Sequence, residues 1–242
     1  MNIALDLHTH TLVSTHAFST MGEMIAQAKQ LGLQGMAVTD HGIGTPDSPH
    51  EWHFSCLPRL PDILPDGFWL LKGVEANAMD AQGTLDMPEK IRKNLDWVIV
   101  SLHTALMPSL TFEEATALWL RVAETPYVDM IGHSEQKEFY YDYDLVTKAF
   151  AKHNKVVEFN ANSPIARKGN EKNMRELAFF CKKNGAKVAV NSDAHSIYDL
   201  GNYENVLPIL REVDFPEERV VNRSVPRFLE ELKLHGRKIP VL

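Results

Sequence analysis

Seven of the 11 histidines, with one glutamate and one aspartate, fall where a short strand-like run ends. They are His8, His10, His16, His41, Glu75, His103, His133, Asp193 and His195. Imidazole and carboxylate without thiolate suit Zn²⁺, Mn²⁺ or iron, whereas Ca²⁺ and Mg²⁺ want oxygen ligands. Nine such groups exceed what one ion can use, because a catalytic zinc takes about three protein ligands and keeps a position open. Two or three ions are therefore expected, with at least one bridging carboxylate. Adjacent divalent ions lower the pKa of a bridging water and supply hydroxide near neutral pH.

The individual spacings differ in weight. Strand periodicity puts His8 and His10 of Asp6-Leu7-His8-Thr9-His10 on one face, where both can reach one ion. Taken alone, such a pair is weak evidence. It gains force because the other members sit at equivalent strand ends, and Asp193-Ala194-His195 repeats the i, i+2 geometry on the last strand. Core histidines have no reason to collect at C-terminal strand ends.

The elements that must position these groups alternate. Apolar runs at 3–7, 35–39, 68–74, 97–102, 128–132, 156–159 and 187–190 read as seven strands. Helical spacing marks 21–31, 88–94, 111–124, 144–153 and 171–183, with two further helical segments at 203–213 and 226–235. Thr111 caps the 111–124 helix, and Glu113 and Glu114 lie in its first turn, where the dipole favours acid. Strands apolar on both faces, each followed by a helix, predict an α/β fold with a parallel sheet. Ligands leaving at least six of seven strand ends meet only in a closed or nearly closed barrel. An open doubly wound sheet is the lesser alternative, and no GxGxxG follows strand one. Residues 42–67, with Pro46, Pro49, Pro58, Pro61 and Pro65, read as a long irregular lid or wall.

The chain has 242 residues, 44% hydrophobic and 24% charged, enough for a substantial core. Cys56 and Cys181 are far apart in sequence with no CxxC spacing, which argues against a disulfide scaffold and a thiolate zinc site and fits a reducing compartment. The first residues show no export signal and no stretch reads as a membrane span, so a cytoplasmic location and no membrane partner are expected. A net charge of −7 argues against a nucleic-acid surface but not against a small phosphorylated substrate, to which bound metals supply positive charge.

These ordered motifs resemble those of a known family. Asp6-Leu7-His8-Thr9-His10, Ser14-Thr15-His16, Thr39-Asp40-His41-Gly42, Gly73-Val74-Glu75-Ala76-Asn77 and Ser192-Asp193-Ala194-His195 are similar to those of the PHP (polymerase and histidinol phosphatase) domain family. Within it, the YcdX-like stand-alone phosphatase branch is the nearest likeness. The resemblance spans nearly the whole chain, 1–242, as a single domain. It implies a distorted (β/α)7 barrel with a trinuclear metal site at the C-terminal ends of the strands. By that likeness His8, His10, Glu75 and Asp193 hold one ion, and Glu75 bridges to a second held by His103 and His133. His16, His41 and His195 hold the third.

The implied activity is hydrolysis of a small phosphate monoester by a metal-activated hydroxide, with three Zn²⁺ expected and Mn²⁺ or iron as alternatives. A histidinol-phosphate phosphatase, a phosphodiesterase or nuclease, and a non-catalytic metal-binding domain are the competing readings. The complete ligand set speaks against the last. A homo-oligomer is compatible with the sequence.

Other residues carry less. In the family the loop after strand six holds a basic residue suited to phosphate, which makes Arg167, beside Lys168, the phosphate-binding candidate. The family often has Pro-Gly after the strand-five histidine. Here Ser134-Glu135 follows His133, so the loop running to Tyr140 and Tyr141 is expected to differ in shape. His50, Trp52 and His53 are weaker candidates for the pocket wall. Asp6 and Asp40 are candidates for hydrogen bonds behind the ligands. His153 and His235 sit at helix C-termini, where positive charge is welcome, and receive no site role.

Overall fold

A computed structural model describes residues 1–239. Seven parallel strands lie in sequence order: β1 (Leu5–Asp6), β2 (Gly35–Val38), β3 (Trp69–Asn77), β4 (Trp97–Ser101), β5 (Met130–Ile131), β6 (Val156–Asn160) and β7 (Lys187–Asn191). Around them run α1 (Met21–Gln30), α2 (Glu51–Cys56), α3 (Glu89–Arg92), α4 (Phe112–Glu124), α5 (Tyr143–Lys152), α6 (Ser163–Ala166), α7 (Glu171–Asn184), α8 (Leu207–Glu212) and α9 (Val225–Leu234). This is the expected distorted (β/α)7 barrel.

The distortion has a local cause. No ladder joins β1 to β7 among the described residues; residues 220–222 bridge that seam, by backbone (Leu5 N to Asn222 O, 3.2 Å; Val221 N to Val188 O, 2.8 Å) and by side chain. Asn222 donates through Nδ2 to Leu5 O (2.8 Å) and Val190 O (2.6 Å), and Leu7 N donates to Asn191 Oδ1 (3.0 Å). Higher up, Thr9 bridges Ala194, and His10 N donates to Ala194 O. The two stretches that carry His8, His10, Asp193 and His195 therefore run side by side.

Three expectations about elements change. β1 and β5 shrink to two residues each. At β5 the Asp129 carboxylate accepts from Val98 N (2.8 Å), so a side chain replaces a ladder bond. β3 continues to Asn77, which puts Glu75 inside the strand rather than at its end. Residues 42–67 are not irregular throughout. They hold α2 and a 3₁₀ turn, Leu57–Arg59, with Pro49 just before the cap and Pro58 in the first turn, positions where helices tolerate proline. His50 is the α2 N-cap, accepting from Trp52 N at 3.2 Å.

Strand alternation builds a gradient up the barrel interior. Leu71, Gly73, Glu75 and Asn77 succeed one another on one face of β3; Trp97, Ile99, Ser101 and His103 do so along β4; Ala189, Asn191 and Asp193 along β7. The lower members pack into one apolar core, which α9 plugs with Phe228 and Leu232. The opposite faces, such as Val98, Val100, Val157 and Phe159, pack outward against the helices in the larger core. Apolar burial thus fixes the strands, and the polar residues two and four positions further on have to meet at the upper mouth.

Candidate metal centre

All nine residues converge there. Glu75 is central, with imidazoles on both carboxylate oxygens. Its Oε1 lies 2.9 Å from His133 Nε2, 3.5 Å from His8 Nε2 and 3.6 Å from His103 Nε2. Its Oε2 lies 2.8 Å from His41 Nδ1 and 3.6 Å from His10 Nε2. Asp193 Oδ1 is 3.5 Å from His8 Nε2 and 3.2 Å from His10 Nε2. His16 completes the set from the rim, its Nε2 3.3 Å from that of His41 and 2.9 Å from that of His195.

The outer nitrogens explain which way the rings face. His8 Nδ1 donates to Glu158 Oε1 (2.7 Å), His103 Nδ1 to Asn77 Oδ1 (2.6 Å) and His195 Nδ1 to the Asp193 carbonyl (2.9 Å). His16 Nδ1 pairs with Asp47. A neutral ring that donates through Nδ1 presents a bare Nε2 lone pair, the arrangement typical of metal-bound histidine. Bare Nε2 atoms that close together have no hydrogen to share. A tetrahedral ion with bonds of about 2.1 Å would space its nitrogens by about 3.4 Å. Buried His8 Nε2, both ring nitrogens of His10, His41 Nδ1 and Glu75 Oε2 have no hydrogen-bond partner. Such orphaned atoms are costly in a folded core, and a cation satisfies them. The residues present therefore fit a metal cluster.

Electrostatics agree. Burial, with the neighbouring imidazoles of His41 and His195, pushes His10 down to about 3. Burial, with His133 and His41 close by, also takes His103 to about 3 against the pull of Glu75. Both rings are therefore neutral and able to coordinate. Burial works against charge on Glu75 and Asp193, yet the imidazoles around them, His8 foremost, hold both well below the usual carboxylate range. Burial also opposes charge on His8, but Glu158, Asp193 and Glu75 hold it well above its ordinary value. An entering ion has to displace that proton.

The backbone is strained at two of the nine. His133 has φ 26° and Asp193 φ 53°, a region that side-chain-bearing residues adopt at a cost of about 1–3 kcal/mol. Gly132, just before the first, packs where a Cβ would collide with the Ser101 side chain.

Arg167 reaches the mouth. Its Nη2 is 3.6 Å from Asp193 Oδ2, and Nη1 donates to Ser163 Oγ at 3.2 Å. Asp6 and Asp40 stand behind the site but bind backbone and hydroxyl groups. Asp6 accepts from the His8 and Ser192 amides and the Tyr203 hydroxyl, and Asp40 from Thr11 and Ser14. His53 lies 3.5 Å from Asp40, while Trp52 faces solvent; neither lines the cleft, nor does His50. The 42–67 segment supplies Thr45, Pro46 and Asp47 to the wall instead. In the divergent loop, Gln136 Nε2 lies 2.8 Å from His133 Nδ1, and Ser134 Oγ lies 2.9 Å from the Tyr141 hydroxyl. Glu135 is buried with neither carboxylate oxygen paired.

Sequence reading missed Glu158, Asn77, Asp47 and Gln136 as orienting groups. Glu158 carried a usable signal: an acid within an apolar strand, on the same face as Val156. The others had none beyond ordinary polarity.

Comparison with known proteins matches this arrangement. The family described as PHP domain matches residues 6–170. A protein of Acetivibrio thermocellus named a probable phosphatase is 40% identical over 239 residues, covering 99% of each chain. One of Proteus mirabilis with the same description is 40% identical over 97% of this chain and 96% of its own. Among solved structures, histidinol phosphate phosphatase of Lactococcus lactis, complexed with zinc, L-histidinol and phosphate, superposes with a TM-score of 0.64. That match covers 89% of this chain and 95% of the other at 18% identity, which is a likeness of fold. The strand-end motifs, the barrel that gathers them and the end-to-end relatives lead to one assignment: this chain belongs to the PHP domain family.

Proposed function

We propose that this protein is a metal-dependent phosphatase that hydrolyses a small phosphate monoester. The observation that carries the reading is the set of buried imidazole nitrogens beside Glu75 that have no partner: His8 Nε2, His10 Nε2 and His41 Nδ1. The naming of the full-length relatives as probable phosphatases supports it. In this reading His8, His10, Glu75 and Asp193 would hold one ion, Glu75 with His103 and His133 a second, and His16, His41 and His195 a third. Three overlapping clusters of mutually close donors support more than one ion, with Glu75, His10 and His41 each shared between two: His8–His10–Glu75, His41–Glu75–His103 and His10–His41–His195. Zinc suits the donor set, with manganese or iron as the alternatives.

When bound, such ions supply Lewis acidity to phosphate oxygens and acidify water. The chain's own residues do the rest. Glu158, Asn77 and Asp47 fix the rings by accepting their outer protons. Arg167, anchored by Ser163 and turned to the cleft, offers its remaining N–H groups to the phosphoryl oxygens, where charge builds during transfer. Thr45, Pro46, Ala105 and Leu106 line the cleft.

Elemental analysis of protein purified without chelator, paired with phosphate release from an aryl phosphate, tests this. About three ions per chain with turnover is the expected result. No bound metal, and no rescue by Zn²⁺ or Mn²⁺, would sink it. Arg167→Ala should keep its metal and lower kcat/KM by about tenfold to a hundredfold, the weight of a charged hydrogen bond. Unchanged kcat/KM removes Arg167 from the reading.

A further inference from the structure

The substrate enters a cleft of about 430 Å³, within the small-molecule range. Its charges are few and already engaged. Among the described residues that line it, the charged side chains besides histidine are Asp47, Asp193 and Arg167. Asp47 pairs with His16, while Asp193 faces His10 and Arg167. The rest of the wall is Thr45, Pro46, Ala105, Leu106, Asn162 and Ala166, of which four present only carbon. No carboxylate is left for an ammonium on the leaving group, and no cation is left for a second anion.

We infer, resting on the phosphatase reading, that the substrate is a monoester whose leaving group is uncharged and presents an apolar face to Pro46, Ala105, Leu106 and Ala166. Phosphate at the metal end and carbon at the wall divide the cleft. A charge placed against this wall would lose water and gain no partner, which is costly. Amino-alcohol phosphates, phosphorylated acids and bisphosphates are then poor substrates. A competing arrangement exists on the far side of Arg167. There Lys137 and Lys168 flank a second, smaller hollow of about 250 Å³ that shares Ala166 and Arg167 with the cleft. A second phosphate would reach it across the Ala166 and Arg167 rim that the two hollows share.

The test uses one frame with four remote groups: benzyl phosphate, para-carboxybenzyl phosphate, para-aminomethylbenzyl phosphate and para-xylylene bisphosphate. Their leaving alcohols differ little in reactivity, so differences report the cleft. Turnover is measured on the esters. Binding to the metal-loaded protein is measured by calorimetry on the matching phosphonates, where carbon replaces the bridging oxygen. The neutral compound should bind, and be turned over in kcat/KM, at least about tenfold better than each charged one. Leu106→Lys should narrow the gap to the carboxylated compound.

Equal or undetectable binding of all four phosphonates overturns the inference. So does a bisphosphonate that binds tightest, which would place the second anion at Lys137 and Lys168. Phosphonates that bind in the predicted order without turnover of any ester would retain this cleft selectivity and defeat the phosphatase reading. Equal turnover of all four esters would do the reverse.

Discussion

At the lower mouth of the barrel, His235 donates from Nδ1 to Asp129 Oδ1 (2.8 Å) and from Nε2 to Glu231 Oε1 (3.1 Å). Arg237 clamps the same Asp129, while Lys187 and Arg227 reach Glu231 at 2.7 and 3.0 Å. At the upper mouth His10 is fully buried, yet neither of its ring nitrogens has a partner. Both ends are made of histidine, acid and arginine. The lower end pairs every one of these groups, so its chemistry is spent on holding the C-terminal segment against the strands. The upper end leaves lone pairs converging on a shared centre. The difference shows that buried histidine by itself says little. What separates a structural cluster from a reactive one is whether the donors and acceptors satisfy each other.

The largest effect expected from breaking this contrast is at the lower end. Asp129→Ala takes the carboxylate from Arg237, leaves His235 with Glu231 alone and removes the acceptor for Val98 N. Loss of one partner of a buried pair costs about 3–5 kcal/mol. Denaturant unfolding of the metal-loaded variant should show that drop, while the folded fraction keeps its full metal content. A variant as stable as the parent would mean that the lower network is not a stability element. A variant that loses metal would mean that the two mouths are coupled.

A smaller effect sharpens the contrast from above. Glu158→Gln removes the anion behind His8, and outer-shell changes of this kind cost about tenfold to a hundredfold in metal affinity. Competition with a chelator should read that loss, and the chelated variant should unfold closer to its parent than Asp129→Ala does. If affinity is unchanged, the 2.7 Å contact from His8 to Glu158 is packing rather than tuning.

The same contrast explains what was legible from sequence. Side-chain parity along apolar strands carried the barrel and all nine converging residues, because burial of Leu71, Trp97 and Ala189 dictates where the residues further along each strand must point. The seam was not legible, since Asn222 closes it through contacts more than 30 residues away from either partner. Nor was the role of His235. Its partner Asp129 is 106 positions distant, and a histidine at a helix end looks the same whether it meets solvent or a buried acid. The proline-rich 42–67 segment misled for another reason. Proline is tolerated at helix starts, and there it flanks α2 rather than interrupting it.

The smallest predicted effect is a pH dependence confined to the lower end. A neutral imidazole has one N–H, so His235 can donate to both carboxylates only as a cation. Burial opposes that charge, but Asp129 and Glu231 hold it above its ordinary 6.5. A raised value in the folded state means stability present below about pH 6.5 and lost as pH rises through the folded value. The acids carry the opposite sign. Burial works against Glu231, yet His235 and Lys187 hold it down to about 2, so its contribution is present above 4.5 and lost as pH falls. Asp129, held down by His235 and Arg237 against burial, behaves likewise around 3.8. The network should therefore contribute most between about pH 5 and about pH 6.5 and weaken on the alkaline side. Unfolding midpoints at about pH 6 and about pH 8, compared between the parent and His235→Asn, isolate the term, because every other titrating group is common to both. The parent should lose more stability over that interval than the variant. Parallel losses would mean that His235 is neutral in the folded protein and that one of its two contacts carries no hydrogen.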